Sequence, residues 1–202
     1  MENCFYKHLD EIKKAFDRKE VRIKDNKKVT FQKGLSIDEI SQIEKFYNLS
    51  FNIDHRNYLM RYVLIGGSFY DWRNDTKNNV EHIKKMLNWP LEGILFDIEH
   101  NIYWPREIEI KPERITQKKD IFIKYYQENI SKLVPIYGHR YMCSEPKKTG
   151  APVYSVYQTD IIYYGDNILD YFSKEFGINI KNNYEKWEED NTIYWPQFCF
   201  YE

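Results

Sequence analysis

The stretch from Leu133 to Phe176 constrains the fold of this chain more than any other. It reads LVPIYGHRYM, a polar turn through Pro146 to Gly150, APVYSVYQTDIIYYG, and then DNILDYFSKEF. Two runs dense in aromatic and β-branched residues, separated by turn residues, predict paired strands, because such side chains fill a pleated, half-buried surface. Gly165-Asp166-Asn167 then breaks the extended pattern, and the apolar spacing that follows predicts an amphipathic helix. The stretch is therefore a core-forming unit, with His139, Arg140 and Asp160 as its conspicuous polar members.

Upstream, the periodicities alternate between helix and strand. Phe5, Leu9, Ile12 and Phe16 recur at spacings of three and four, which lays one apolar stripe along a helix from Glu2 to about Arg18. Val21 and Ile23, then Val29 and Phe31, flank a polar Asp25-Asn26 turn and predict a small lysine-rich edge hairpin. Ser36-Ile37-Asp38-Glu39 has the pattern of a capping box, so a helix starts there, with Ile40, Ile43, Phe46 and Tyr47 on its buried face and its end near Asn48. A second helix after Asp54 turns Tyr58, Leu59 and Tyr62 inward and stops at Gly66-Gly67. SFYDWRN reads as a turn or short strand. Val80, Ile83, Met86 and Leu87 mark a short helix ended by Asn88-Trp89-Pro90, and LEGILFDIEHNIYWP fits either a strand or a helix, with the helical period slightly favoured. Pro105 and Pro112 bound a charged connector, and Ile121, Phe122, Tyr125 and Ile130 predict a last helix before the central stretch. No linker or low-complexity block divides the chain, so one domain over 1–202 is expected.

Charge and cysteine usage exclude several classes. The net charge of -1 provides no global field for nucleic acid or an anionic membrane. Residues 1–33 carry ten Lys and Arg against six Asp and Glu, a net of +4, whereas residues 160–202 carry three against nine, a net of -6. An acidic C-terminal third suits a basic partner. Eighteen Tyr, 12 Phe and 5 Trp make the chain rich in rings, which serve cores and recognition surfaces alike. Cys4, Cys143 and Cys199 are odd in number and form no CxxC pair, so neither a disulfide framework nor a zinc knuckle is implied. The N-terminus lacks an apolar signal region and no apolar run approaches the roughly 18 residues of a membrane span, so a cytoplasmic location is expected.

Catalytic signatures do not assemble. There is no GxxxxGK[ST], GxGxxG after a strand, HExxH or GxSxG. Gly66-Gly67 before Ser68 reads as a stop requiring positive φ rather than a ligand loop. His139 and Cys143 would share a face of one regular strand, too far apart for a direct hydrogen bond, so a structural histidine with Arg140 paired to a carboxylate is expected instead of a nucleophilic pair. Asp97, Glu99 and His100 are ligand types close in sequence, but no further convergent ligand is legible. Lys111, Arg114, Lys118 and Lys119, with Lys147 and Lys148, are the basic clusters near aromatic residues, and Glu107, Glu109, Glu113 and Asp120 interleave the first, which argues against a phosphate-binding stripe. No catalytic residue, metal or cofactor is therefore assigned.

The order of the blocks resembles the SUKH (SMI1/KNR4) family. LSIDEISQIEKFYNLSFNIDHRNYLMRYVLIGG is similar to its opening helices and glycine stop, and LEGILFDIEHNIYWP, KPERI, LVPIYGHRYM and APVYSVYQTDIIYYGDNILDYFSKEF are similar to later blocks of its bacterial members. The resemblance spans residues 36–176. It departs from the family where Glu107-Ile108-Glu109-Ile110 stands in place of a Trp-Gly pair, and residues 1–33 and the tail after Gly177 lie outside it. The resemblance implies an α+β fold with a central, mostly antiparallel sheet flanked by helices, and a non-catalytic immunity protein that binds and neutralises a cognate toxin domain. A regulatory or scaffold module is the alternative, and a hydrolase using His139 a third. Partner-binding residues are expected at Asp160, Tyr163 and Tyr164, and in the tail at Tyr184, Trp187, Glu188, Glu189 and Asp190, where acidic and aromatic groups would mimic phosphate and stacked bases for a basic nuclease toxin.

Overall fold

A computed structural model describes residues 2–23, 28–145 and 148–180. The elements run α1 (Glu2–Asp17), β1 (Val29–Lys33), α2 (Ile37–Tyr47), α3 (Ile53–Arg61), β2 (Tyr62–Gly66), α4 (Lys77–His100), α5 (Ile115–Asn129), β3 (Leu133–Tyr137), β4 (Arg140–Cys143), β5 (Val153–Tyr157), β6 (Asp160–Gly165) and α6 (Ile168–Phe176). The fold is α+β, with an antiparallel β1-β2 pair and an antiparallel four-stranded sheet in the order β3-β4-β5-β6. One isolated bridge, Phe69 to Tyr137, joins the two sheets through the SFYDWRN segment.

Alternation along the four-stranded sheet feeds two cores. Val134, Ile136, Met142 and Val153 pack with the α1 stripe Phe5, Leu9, Ile12 and Phe16 and with α6. Leu133, Tyr141, Cys143, Tyr154, Val156 and Ile161 pack instead with Ile94 and Ile98 of α4 and Phe122 of α5. Successive strand residues point to opposite faces, so the sheet is buried on both sides.

The predicted start and stop signals of α2 are present. Ser36 Oγ accepts from the Glu39 amide and Glu39 accepts from the Ser36 amide, while Asn48 closes the helix at a left-handed φ of 49°. Arg73 Nε donates to Glu39 Oε1 at 2.7 Å. That bond and the Ser36 amide hold the Glu39 carboxyl down at about 2. Phe46 departs from the expected buried face: it is exposed, beneath the Lys84 ammonium.

Three expectations are corrected by the observed strand pairing. The hairpin between residues 21–23 and 29–31 does not form; β1 pairs with β2 in the register Phe31 to Leu64. Strand β2 occupies residues expected to continue the second helix, because Tyr62 turns extended and Val63 and Leu64 are buried there. The two aromatic runs at 133–142 and 151–165 are not single strands either. Each folds on itself, through Gly138-His139 at a φ of 51° and through Gln158-Thr159 at a φ of 55°.

The fourth correction concerns Pro90, which does not end a helix. Helix α4 runs unbroken for 24 residues, with Ile83, Pro90, Ile94 and Ile98 on its buried side. Proline at that position leaves the Met86 carbonyl without its helical donor. The Tyr141 hydroxyl of β4 supplies one instead, at 2.9 Å. Tyr141→Phe is expected to leave that buried carbonyl without this donor and to cost about 1–3 kcal/mol, read from the midpoint of urea unfolding. A loss below about 0.5 kcal/mol would show that the helix tolerates Pro90 without help from β4.

Candidate functional site

Both tight turns of the four-stranded sheet lie at the same end, because the strands form a meander. That end gathers the polar residues singled out in the sequence. Register aligns Arg140 with Ser155 and Ser155 with Ile162 across β4, β5 and β6. Arg140 is 8% exposed, and its guanidinium is tied down on every side. Nε donates to Glu175 Oε2 of α6 at 3.2 Å, and Nη1 donates to Ser155 Oγ at 2.5 Å. Nη1 also meets His139 Nε2 at 2.5 Å. Arginine has only donors, so His139 Nε2 is the accepting nitrogen. The Tyr164 ring lies 3.9 Å from the guanidinium carbon and covers its remaining face.

This cluster is a scaffold under the hairpin. The carboxylate of the expected Arg140 pair is Glu175, 35 residues away on α6. His139 stands in the β3-β4 turn and is exposed, not inside a strand. Cys143 is fully buried on the opposite face, and burial pushes its thiol well up, away from the thiolate needed for nucleophilic work. The strand on which a His/Cys pair was weighed therefore does not exist as one strand.

The β5-β6 hairpin is held rigidly. Gly93 of α4 lies where the hairpin turn arrives; a Cβ there would sit 2.8 Å from the Gln158 Cα. Asp97, 3% exposed, accepts at Oδ2 from the Thr159 amide at 2.9 Å and from the Thr159 hydroxyl at 2.6 Å. Its other oxygen takes the Asn101 side-chain amide. Asp97 thus anchors the turn, while Glu99 pairs with Lys119. Among the described residues no group of three His, Cys, Asp or Glu side chains could hold a metal ion.

On this clamped hairpin, large apolar groups face outward. Tyr157 is 58% exposed and Ile162 is 48% exposed, on neighbouring strands, next to exposed Asp160 at the start of β6. Among the described residues, β6 has a strand neighbour on one side only. Tyr163 and Tyr164 are both half-buried but diverge. Tyr163 packs 5.1 Å from Tyr154 on the α4-α5 face, and Tyr164 stacks over Arg140 on the other. Asp160 and Ile162 are thus brought together, while the two tyrosines separate. Tyr184, Trp187, Glu188, Glu189 and Asp190 lie outside the described residues. Tyr157 and Ile162 were missed because a strand-forming residue reads as core until the sheet's edge is known.

The chain matches no protein-family model, no curated protein and no solved structure. What the geometry defines is an α+β domain with a clamped, partly apolar edge hairpin. No described helix is long and apolar enough to cross a membrane.

Proposed function

We propose that this chain is a non-catalytic protein-binding domain of the immunity type, which neutralises a cognate bacterial toxin by direct binding through the β5-β6 hairpin. The observation that carries the binding reading is the exposure of Tyr157 and Ile162 on a hairpin tied to Arg140 through Ser155 and to Asp97 through Thr159. An exposed apolar edge strand is a liability unless a partner covers it, and rigid aromatic and aliphatic anchors are what a binding surface needs. The immunity reading is supported by the ordered series of SUKH-like blocks from Ser36 to Phe176.

The test is co-expression with a candidate toxin domain, sought first among the products of neighbouring genes. Growth rescue and a co-purifying complex are expected. Ile162→Asp, at an exposed site, is expected to weaken that complex by about 30-fold or more while leaving the fold intact. Absence of both rescue and complex would remove the immunity reading. A complex of undiminished affinity with both Ile162→Asp and Tyr157→Asp would place the interface elsewhere.

A further inference from the structure

The two segments that read as one hairpin in the sequence leave a groove open instead. Val21 and Ile23 do not pair with β1, and β1 has β2 as its only strand neighbour among the described residues. The groove holds about 770 Å³; α1, Lys19, Val21, Ile23 and the run from Lys28 to Phe31 line it, and nothing from β2 does. Phe16 and Phe31 meet edge to face there, with ring centroids 5.2 Å apart. Val21, Ile23 and Phe31 are only half-buried, so apolar surface stays open along the groove.

The charge of the lining decides what fits. Lys13 is engaged with Asp17 at 2.5 Å, which leaves the exposed Lys19 and Lys28 as the excess charge among the described lining residues. Two excess lysines are too few for nucleic acid, where a stable contact neutralises roughly 6–10 phosphates. They are also too few for an anionic membrane, whose protein sites gather roughly 4–8 basic residues. Lysines beside a strand edge disfavour pairing with a second copy, because like charges would meet. An acidic polypeptide with apolar side chains satisfies both parts of the lining.

We propose that the groove takes an extended acidic segment of another protein, which adds as a strand along β1. Successive residues of a strand point to opposite sides, so alternate apolar side chains would rest on Phe16, Val21 and Phe31 while the intervening carboxylates reach Lys19 and Lys28. Strand addition draws affinity from backbone hydrogen bonds and selectivity from the side-chain contacts. Lys28 to Phe31 span roughly 10 Å at 3.3 Å per residue, so a segment of about four or five residues makes the contact. This surface shares no residue with the β5-β6 hairpin, and the inference does not rest on the immunity reading.

Fluorescence polarisation of the full chain with a short labelled peptide of alternating glutamate and valine tests it. Saturable binding is expected. Lys19→Glu with Lys28→Glu, both at exposed positions, is expected to weaken it by about tenfold or more, and to confer binding of the same peptide with lysine in place of glutamate. Lys85→Glu, at an exposed position of α4, is expected to change it by less than about twofold. Backbone N-methylation at every second peptide residue removes donors from one edge of the strand only, so one methylation phase is expected to abolish binding and the other to spare it. The proposal is overturned if the peptide does not bind, if Lys85→Glu weakens binding as much as the double reversal, if the two methylation phases act alike, or if the groove lysines instead govern dimerisation of the chain.

Discussion

Arg140→Ala is expected to destabilise this protein by about 3–5 kcal/mol, because it leaves the Glu175 carboxylate buried without its guanidinium. The side chains are only 10% and 8% exposed, and the 3.2 Å contact joins β4 to α6. The same substitution frees Ser155 on β5 and uncovers the ring of Tyr164 on β6, so four elements lose one common tie. For a chain of this size the loss corresponds to a fall in Tm of about 6–20 °C. The paired replacement Arg140→Met with Glu175→Leu separates charge from packing, since exchanging both members of a buried pair for apolar groups of similar volume is often close to neutral. Thermal and urea unfolding of the two variants decide the matter. A single substitution costing under about 1 kcal/mol would mean that water reaches Glu175 and that the cluster does not hold the hairpin.

The second large effect is acid lability centred on His55. This residue is fully buried between Phe51 and Tyr58, and neither ring nitrogen has a hydrogen-bond partner among the described residues. Burial lowers its pKa from the usual 6.5 to about 3. Between those values the unfolded chain binds a proton that the folded chain refuses, so stability falls as pH drops below 6.5. The slope approaches about 1.4 kcal/mol per pH unit, which integrates to roughly 2.3 kcal/mol between pH 6.5 and 4.5. Glu39 works in the same direction in a lower window. Its stabilisation is complete above its ordinary value of 4.5 and is lost as pH falls towards about 2. Unfolding free energies at pH 6.5, 5.5 and 4.5 therefore isolate the histidine. His55→Phe keeps a ring between Phe51 and Tyr58 and is expected to flatten the profile over that window. An unchanged slope in the variant would show that other groups take up the acid.

Much of the local structure was legible before any coordinates. The α1 stripe, the Ser36-Glu39 capping box and the amphipathic α6 are each specified by residues within about three turns of one another. Their signals are short-range, so no tertiary context is needed to read them. The candidate site was legible in part. His139, Arg140 and Asp160 stood out as polar residues in apolar runs; the turn that holds His139 and the exposed start of β6 at Asp160 agree with that polarity, whereas Arg140 is buried in β4. Glu175 and Ser155 carried no signal, because a glutamate in a helix and a serine in a strand are unremarkable until Arg140 is brought between them.

The sequence by itself determined where most helices start and which segments have helical or strand periodicity, except at residues 21–23 and 62–66. The tertiary structure alone decided partners. It chose β2 over residues 21–23 as the neighbour of β1, since Val63 and Leu64 bury there. It let α4 continue through Pro90, since a tyrosine hydroxyl from β4 reaches the freed carbonyl. It turned Tyr157 and Ile162 into surface and Tyr141 and Tyr154 into core, although all four sit in similar aromatic and β-branched runs. Side-chain type reports how well a residue fits a half-buried sheet; which half is buried depends on helices that pack from elsewhere in the chain.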